Sequence, residues 1–500
     1  MPILDGFLNA LTLYNLLFCF IGCVLGTLVG ILPGLGPSAS IAIILPFSVY
    51  LDPTGSIIMM AGVCYGAMYG GSTTSILVNI PGESASVVST FDGFQMTRQG
   101  RGGEALWIAA VGSFIAGTIG VIGTCILGPE LAKFAIKFGP PEYTGLLFFS
   151  LTMLVSLSGA SLIKGIVAGI LGIFLSSVGI DPLTGAPRLN YGLVGLTRGF
   201  EIVPVVVGLF GIGEILSSAE AGVQQIFQGK LGRMMPRGSE LRRGLFAALR
   251  GTILGFPLGL IPGMVTALST FMSYDVEKKI SKHPERFGKG AIEGLAGPEA
   301  ANNATAQAGF IPLLSLGIPT APSMAIMLAA FMLYGLQPGP QLFLQHGSMV
   351  WTVIASMYIG NVMLLVLNLP LVGLWARISL IPYRFLAPFI LAVCLIGAYS
   401  PRCTMFDVWV ALAFGILGYY MNKNKWPVAP MILGLILGPI FEISLRQSIS
   451  MGTLSGGIIA LFLSRPVSVV FIALAVIALV ISFVFLKRLP KDALEDDSKK

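Results

Sequence analysis

Long apolar segments, interrupted by Gly and Pro and separated by short polar connections, run along almost the whole chain. An α-helix rises about 1.5 Å per residue, so roughly 20 apolar residues are needed to cross the hydrocarbon core of a bilayer. We predict about twelve apolar segments, the first of them at residues 8–29. The pattern predicts an all-α polytopic membrane protein.

From the first apolar segment into the residues that follow it, glycine stands at every fourth position, Gly22, Gly26, Gly30 and Gly34, and the segment leads into a break at Pro33. Residues four apart share one face of a helix, and a face of small residues lets another backbone approach closely inside a membrane. Pro33 removes a backbone donor and Gly34 relaxes the backbone, so the helix is expected to break there. Unpaired polar groups at such a break are tolerated only where protein or a wet cavity covers them.

The same pattern recurs in the second half as Gly251, Gly255, Gly259, Pro262 and Gly263, at an offset of 229 residues (251 − 22 and 262 − 33). Five Gly and Pro matches in register point to an internal repeat. Two copies of an interrupted apolar helix are the sequence mark of a repeat-built secondary transporter. Its binding site is expected where the breaks meet.

Each copy contains a second apolar segment with a polar centre, at residues 57–80 and 290–317. These segments end at Pro81 and Pro319, at an offset of 238 residues (319 − 81). The larger offset fits the longer charged loop at residues 274–289. Each copy is therefore expected to hold two breaks.

Loop charge predicts that the two copies are inverted. In the first copy, the connection at 48–56 has no Lys or Arg and the one at 83–104 has two. In the second copy, the loop at 274–289 has five basic residues and residues 335–341 have none. Because basic residues mark the cytoplasmic side, equivalent loops face opposite sides. Basic residues in the tail at 487–500 predict a cytoplasmic C-terminus.

We therefore divide the chain into a first membrane repeat at 1–218, a basic hinge loop at 219–243, a second membrane repeat with additional C-terminal helices at 244–486 and a charged cytoplasmic tail at 487–500. The residues at 1–5 have no basic n-region, so no cleaved signal peptide is expected.

Composition agrees with residence in a lipid bilayer. The chain of 500 residues is 55% hydrophobic and 11% charged, with a mean hydropathy of +0.87. A soluble domain carries about 25% charged residues. The net charge of +7 lies in the loops, where it reads as a topology signal rather than a nucleic-acid-binding surface, so no nucleic-acid partner is expected.

The sequence carries no sign of an enzyme or of a bound cofactor. None of the six cysteines forms a CxxC pair, and neither His283 nor His346 has a partner at metal-ligand spacing. No GxSxG motif, HExxH motif or pair of membrane acids at a clear catalytic spacing occurs. We expect no catalytic residue, no cofactor and no metal other than a coupling ion.

The candidate substrate and ion site comprises the residues at the breaks and the polar residues beside them. A half-helix N-terminus presents free amides and a positive dipole end, which suit a carboxylate. Carbonyl, hydroxyl and amide oxygens suit Na⁺. Glu299 is predicted to lie at membrane depth, where an acid is typical of a functional site. The equally weighted alternative is that Glu299 caps the start of a helix after Pro298. The full set is Pro33, Gly34, Gly36, Ser38, Ser72, Thr73, Thr74, Asn79, Pro81, Gly82, Pro262, Gly263, Thr266, Glu299, Asn302, Asn303, Thr305, Pro319 and Thr320.

The motifs at residues 30–37, 69–83, 298–303 and 311–319 resemble those of the TctA family, the large membrane subunit of tripartite tricarboxylate transporters. The resemblance extends over nearly the whole chain, although the region from about 340 onward carries no motif that supports it. These motifs are specific in combination.

The resemblance implies a multi-pass protein of the bacterial inner membrane that imports citrate or related carboxylates by symport. The coupling ion is Na⁺ or H⁺, between which the residues do not choose. The implied partners are a small TctB-like membrane subunit and a periplasmic TctC-like solute-binding protein. An elevator-like movement is an analogy with other carriers that have paired re-entrant elements. The alternative is a gradient-independent channel for organic anions, which would more often repeat one pore motif by oligomerisation.

Overall fold

The computed structural model describes residues 2–32, 35–157, 161–221, 231–263, 266–378, 383–454 and 456–488. The first half contains α1 Pro2–Ala10, α2 Leu13–Gly30, α3 Pro37–Ser48, α4 Pro53–Val78, α5 Val87–Arg98, α6 Gly102–Ala135, α7 Pro140–Leu157, α8 Leu162–Ser176, α9 Ile202–Val206 and α10 Gly213–Ala221. A π-helical segment, Val207–Ile212, joins α9 to α10, and a 3₁₀ turn, Ser84–Ser86, leads into α5.

The second half is also helical. It contains α11 Gly238–Gly259, α12 Thr266–Ile280, α13 Ile292–Ala308, α14 Phe310–Leu316, α15 Pro322–Leu333, α16 Pro340–Gln345, α17 Gly347–Asn368, α18 Val372–Ile378, α19 Tyr383–Tyr399, α20 Met405–Lys423, α21 Ala429–Leu454, α22 Ile458–Leu463 and α23 Pro466–Arg488. The strands β1 Gly179–Ile180 and β2 Pro187–Arg188 pair antiparallel.

The predicted all-α polytopic class is confirmed. Among the described residues, six helices are long and apolar enough to cross a membrane, and five shorter apolar helices of 10–17 residues accompany them. The six are Leu13–Gly30, Gly102–Ala135, Ile202–Glu220, Gly347–Asn368, Met405–Lys423 and Ala429–Leu454.

The chain forms two compact units. The first comprises Met1–Ile136 and Phe200–Asn424, and it contains both copies of the broken-helix pattern. The second comprises Lys137–Gly199 and Lys425–Lys500. Each compact unit therefore draws on both predicted repeats.

In the first copy, the glycine face of α2 packs against the backbone of α4. A Cβ at Gly22, Gly26 or Gly30 would collide with the carbonyl oxygen of every fourth residue from Met59 to Ala67. Only glycine allows the two helices to lie this close, which is the packing that a small-residue face favours in membranes.

The second copy repeats this packing. A Cβ at Gly251, Gly255 or Gly259 of α11 would collide with the carbonyl oxygen of every fourth residue from Gly297 to Thr305 on α13. The repeat seen in the sequence is therefore a repeat of helix-pair packing.

The second breaks of the two copies also correspond. Asn79 ends α4 with φ 60°, and Gly317 ends α14 with φ 71°. Both are left-handed conformations that terminate a helix, and Asn tolerates them better than most residues other than glycine. Their separation (317 − 79) equals the 238-residue offset between Pro81 and Pro319.

Three predicted connections are more helical than expected. The connection at 83–104 contains α5, whose Ser89 and Asp92 are buried. Helix α12 runs through the first half of the charged loop at 274–289. Helix α11 begins inside the segment predicted as a hinge at 219–243. Helices α5 and α12 and the first turn of α11 are largely polar, so they lack the apolar periodicity that marks a span.

The second unit holds the hairpin of β1 and β2 against α21 through ion pairs. Arg446 Nη1 lies 2.9 Å from Asp181 Oδ2, and Arg188 Nη1 lies 2.7 Å from Glu442 Oε1. Hydrogen bonds from the backbone at 183–184, and then Arg446, hold the pKa of Asp181 below its ordinary value.

Candidate functional site

Residues that adjoin the four breaks border one cavity of about 480 Å³ in the first unit. The first copy contributes residues 36–39 and 81–84, and the second copy contributes Thr266 and residues 320–324. The volume falls in the usual range of about 300–1,000 Å³ for small-molecule sites. Meeting of the breaks at one cavity is the arrangement expected of a repeat-built carrier.

Several helix N-termini point their positive ends toward this cavity. Helices α3, α12 and α15 begin at Pro37, Thr266 and Pro322, which all line the wall. The N-cap residues Gly36 and Ala321 provide no side-chain hydrogen bond to the helix. The first-turn amides of α3 and α15 therefore have no side-chain cap. No described residue of the wall is Lys, Arg or His. The positive potential for an anion therefore comes from helix ends.

Hydroxyl groups from both copies reach the same wall. Ser38, Thr266, Thr305 and Thr320 line the cavity. Thr305 Oγ1 lies 2.9 Å from the carbonyl oxygen of Gly255, which ties α13 to α11 beside the cavity. These oxygens can accept from a ligand hydroxyl or coordinate a hard cation.

The two breaks of the second copy are joined directly. The backbone N–H of Gly263 donates to the carbonyl oxygen of Thr320 over 3.0 Å. The first break leaves the N–H of Gly263 without a partner in its own helix, and the second break does the same for the carbonyl of Thr320. The bond pairs these two groups with each other. A rearrangement of either break therefore affects the other.

Two carboxylates that are absent from the predicted site line the cavity. Asn302 Nδ2 donates to Glu83 Oε1 over 3.3 Å, and Asn422 Nδ2 donates to Glu214 Oε2 over 3.2 Å. Glu83 ends one of the sequence motifs, and Glu214 is an acid inside an apolar segment, the same signal that singled out Glu299. Two acids without a basic partner on the wall suit a cation or protons.

Glu299 lies outside the cavity wall and joins the two copies. Its side chain is 1% exposed and accepts from the hydroxyls of Ser72, over 2.7 Å, and Ser89. The alternative that it caps a helix start is wrong, because Glu299 lies in the interior of α13. Asn303, one turn later, donates to Ser113 Oγ over 2.7 Å. These bonds link α13 to α4, α5 and α6.

The other predicted polar residues have more local partners. Thr73 and Thr74 donate to carbonyl oxygens of their own helix, at Tyr69 and Gly71, over 3.0 Å each. Ser and Thr inside membrane helices often bond in this way. Asn79 is exposed at the end of α4.

The structure thus sorts the predicted site residues into three groups. The cavity wall contains Gly36, Ser38, Pro81, Gly82, Thr266, Thr305 and Thr320. The residues outside the wall are Ser72, Thr73, Thr74, Asn79, Pro262, Gly263, Glu299, Asn302, Asn303 and Pro319. Pro33 and Gly34 lie outside the described residues.

A protein family and two curated proteins are similar in sequence to this chain. Residues 16–433 match the family described as "Tripartite tricarboxylate transporter TctA family". An Agrobacterium vitis protein, described as an uncharacterized 52.8 kDa protein in the TAR-I ttuC' 3'region, is 44% identical over 483 residues, or 95% of each chain. An uncharacterized A. vitis protein from the TAR-II ttuC' 3'region is 44% identical over 245 residues, 49% of this chain and 100% of that protein. No solved structure matches the chain.

Proposed function

The chain belongs to the tripartite tricarboxylate transporter TctA family, and from this premise we propose that it imports tricarboxylates, such as citrate, or related carboxylates by symport with Na⁺ or H⁺. Membership of this family points to a transporter rather than an enzyme. The substrate and the coupled ion bind in the cavity at the four breaks.

One observation carries the proposal: the breaks of both copies border a single cavity that helix N-termini face. The ends of α3 and α15 bind substrate carboxylates through backbone amides. Ser38 and Thr320 accept or donate hydrogen bonds beside those amides. The absence of basic side chains from the described wall supports a site in which the helix ends and a co-bound cation balance the substrate charge.

Glu83 and Glu214 carry the coupling in this proposal. A carboxylate beside an anionic substrate is unfavourable unless a cation or a proton neutralises it. Binding of Na⁺ or H⁺ at these acids therefore favours binding of the substrate, and the reverse holds by linkage. When the substrate and the cation are both bound, the broken helices rearrange so that the cavity opens to the other side of the membrane.

Membership of the family supports a proposal for the partners and the membrane, and the charge of the tail supports one for the C-terminus. We propose that the protein works in the bacterial inner membrane, with its C-terminus in the cytoplasm. It acts with a small TctB-like membrane subunit and with a periplasmic TctC-like binding protein that delivers the carboxylate. Selectivity among carboxylates is then shared between the binding protein and the cavity.

The test is uptake of labelled citrate into proteoliposomes that hold the chain and its small partner. Uptake is measured with and without the binding protein and with and without an inward Na⁺ or H⁺ gradient. We expect saturable uptake that needs both. Gradient-independent, non-saturating flux would identify the anion channel instead, and no uptake from a panel of carboxylates would contradict the proposal.

A matched pair of variants tests the cavity. Thr320→Val removes a wall hydroxyl and keeps its shape, and we expect uptake to fall by about tenfold, the effect of one hydrogen bond to a charged group. Thr352→Val removes a buried hydroxyl of α17 that donates to its own helix, at Ser348, and is expected to change uptake little. Equal uptake by both variants would reject this wall as the binding site.

A further inference from the structure

A second cavity, of about 470 Å³, lies at the end of the α11–α12 pair away from the break. Its wall comes from the first half of α11, the end of α12, the segment that follows α12 and the start of α13. The wall carries five Lys and Arg side chains against two carboxylates. The proposed transport cycle uses none of these residues.

The two carboxylates are each paired with one arginine. Arg250 Nε lies 2.8 Å from Glu277 Oε1, and Arg250 Nη2 lies 2.5 Å from Glu277 Oε2. Arg243 Nε lies 2.9 Å from Glu293 Oε1. The acids of the wall are therefore already occupied, and they do not neutralise the remaining cations.

Arg242, Lys282 and Arg286 remain as the excess charge of this cavity. Within the described ranges, none of the three forms an ion pair, and Arg242 only lies over the ring of Phe246. Arg242 also lies near the N-terminus of α11, where the helix dipole is positive and adds to the repulsion. A bound anion would relieve this potential, whereas a topology signal alone does not require the charges to share a concave wall.

Apolar side chains continue from this cavity along the outside of the helix pair. Phe246 and Ile280 line the wall and are 48% and 53% exposed. Leu249 and Ile253 extend the same apolar face along α11, and Ile253 is 73% exposed. A ligand with an anionic head and a hydrocarbon tail matches both parts, whereas a small soluble anion would use only the basic part.

We propose that this cavity binds the phosphate headgroup of an anionic phospholipid, whose acyl chains lie along Phe246 and Ile253. Lys282 and Arg286 belong to the loop at 274–289 that its charge predicts to be cytoplasmic, the side on which basic pockets between membrane helices hold such headgroups. The opposite end of α11 and α12 is the break beside Thr266. The lipid thereby holds α11 against α12, the helix whose first residue, Thr266, lines the transport cavity.

The test uses the purified full chain in neutral detergent, with thermal unfolding and native mass spectrometry as readouts. Phosphatidylglycerol is added to the wild type, and phosphatidylcholine serves as the zwitterionic control. We expect saturable stabilisation and a retained lipid adduct with phosphatidylglycerol only. Equal stabilisation by phosphatidylcholine would overturn the proposal. Saturable stabilisation by inorganic phosphate or glycerol 3-phosphate to the same extent would assign the cavity to a soluble anion and overturn the lipid assignment.

A pair of double variants locates the effect. Lys282→Gln with Arg286→Gln removes two charges of the wall, and we expect phosphatidylglycerol to bind at least about tenfold more weakly. Lys278→Gln with Lys279→Gln removes the same charge from neighbouring positions outside the wall and is expected to bind like the wild type. Because these side chains are exposed, both variants should fold, which gel filtration checks. Equal lipid affinity in the two double variants would reject this cavity.

Discussion

The two copies of the broken-helix pattern share their packing but differ in their polar chemistry. In both copies a glycine face meets backbone carbonyl oxygens, and in both a left-handed residue, Asn79 or Gly317, ends the second helix. At the same 238-residue offset, however, Glu299 corresponds to Ala61, and Ser72 corresponds to Phe310. At each of these two pairs of positions, one copy has a polar residue and the other has an apolar residue.

This difference explains how one site is made from two similar halves. The polar part of α4 and the polar part of α13 come together where Ser72 donates to Glu299, a contact between copies. The copies therefore supply the same framework and complementary side chains. Substitutions of the framework should act alike in both copies, whereas substitutions of the polar groups should act in one copy only.

The largest expected effect comes from the glycine faces, where the copies should behave alike. Gly26→Leu in α2 and Gly255→Leu in α11 each force a side chain against the backbone of the facing helix. We expect each to lower the free energy of unfolding by about 3 kcal/mol or more, the upper range for overpacking. Thermal unfolding of the purified chain measures the change.

Gly347→Ala is the matched control for the glycine faces, because a Cβ there meets nothing within 4 Å. It should leave the unfolding temperature nearly unchanged, since alanine also favours the helix. If Gly26→Leu were tolerated and Gly255→Leu were not, the framework would not be shared in the way that the packing indicates.

Much of this framework was predictable from the sequence because helix breaks and close packing depend on local residue types. Regular glycine spacing and a following proline mark a packing face and its end, whichever partner packs there. The two constant offsets then identified corresponding positions as far as Pro81 and Pro319. Cavity residues such as Ser38 and Thr320 were found because they adjoin those breaks.

The cavity acids were not predictable in this way. Glu214 comes from a separate apolar segment, and no local pattern states which helix will face the breaks. Asn302 was singled out, but its partner Glu83 depends on how α13 packs against the first copy. The burial of Ser89 and Asp92 on α5 likewise comes from tertiary packing, since the segment is polar.

A smaller effect should come from Glu299, where the copies should differ. Glu299→Ala removes the buried acceptor shared by Ser72 and Ser89. Ser72 keeps the carbonyl oxygen of Met68, 3.1 Å away, whereas the Ser89 hydroxyl loses its acceptor, and we expect a loss of about 2–3 kcal/mol in stability. Ala61→Ser at the corresponding position of the first copy should cost less than about 1 kcal/mol, because a serine can bond its own helix. Glu299→Gln should keep most of the stability. Equal losses for Glu299→Ala and Ala61→Ser, measured by denaturant unfolding in detergent, would show that this polar contact is not asymmetric.

The smallest expected effect concerns the N-terminal ends of the polar helices α4 and α13, which are held differently in the two copies. Asp52 accepts from the backbone N–H of Thr54, over 3.0 Å, and so caps α4 from within its own copy. Gly290 stands at the corresponding position of the second copy (290 − 52 = 238), and its N–H donates to Asp92 of the first copy over 2.7 Å. Asp92 is buried and also accepts from Tyr274, whereas Asp52 is exposed.

We therefore expect Asp52→Ala to cost about 1 kcal/mol, as for an ordinary helix cap, and Asp92→Ala to cost about 2 kcal/mol. Hydrogen exchange of the backbone amides separates the two cases further. Asp52→Ala should speed exchange only at the start of α4, whereas Asp92→Ala should speed it at Gly290 and Ala291 in the other copy. If Asp92→Ala changed exchange only within the first copy, the start of α13 in the second copy would not depend on Asp92.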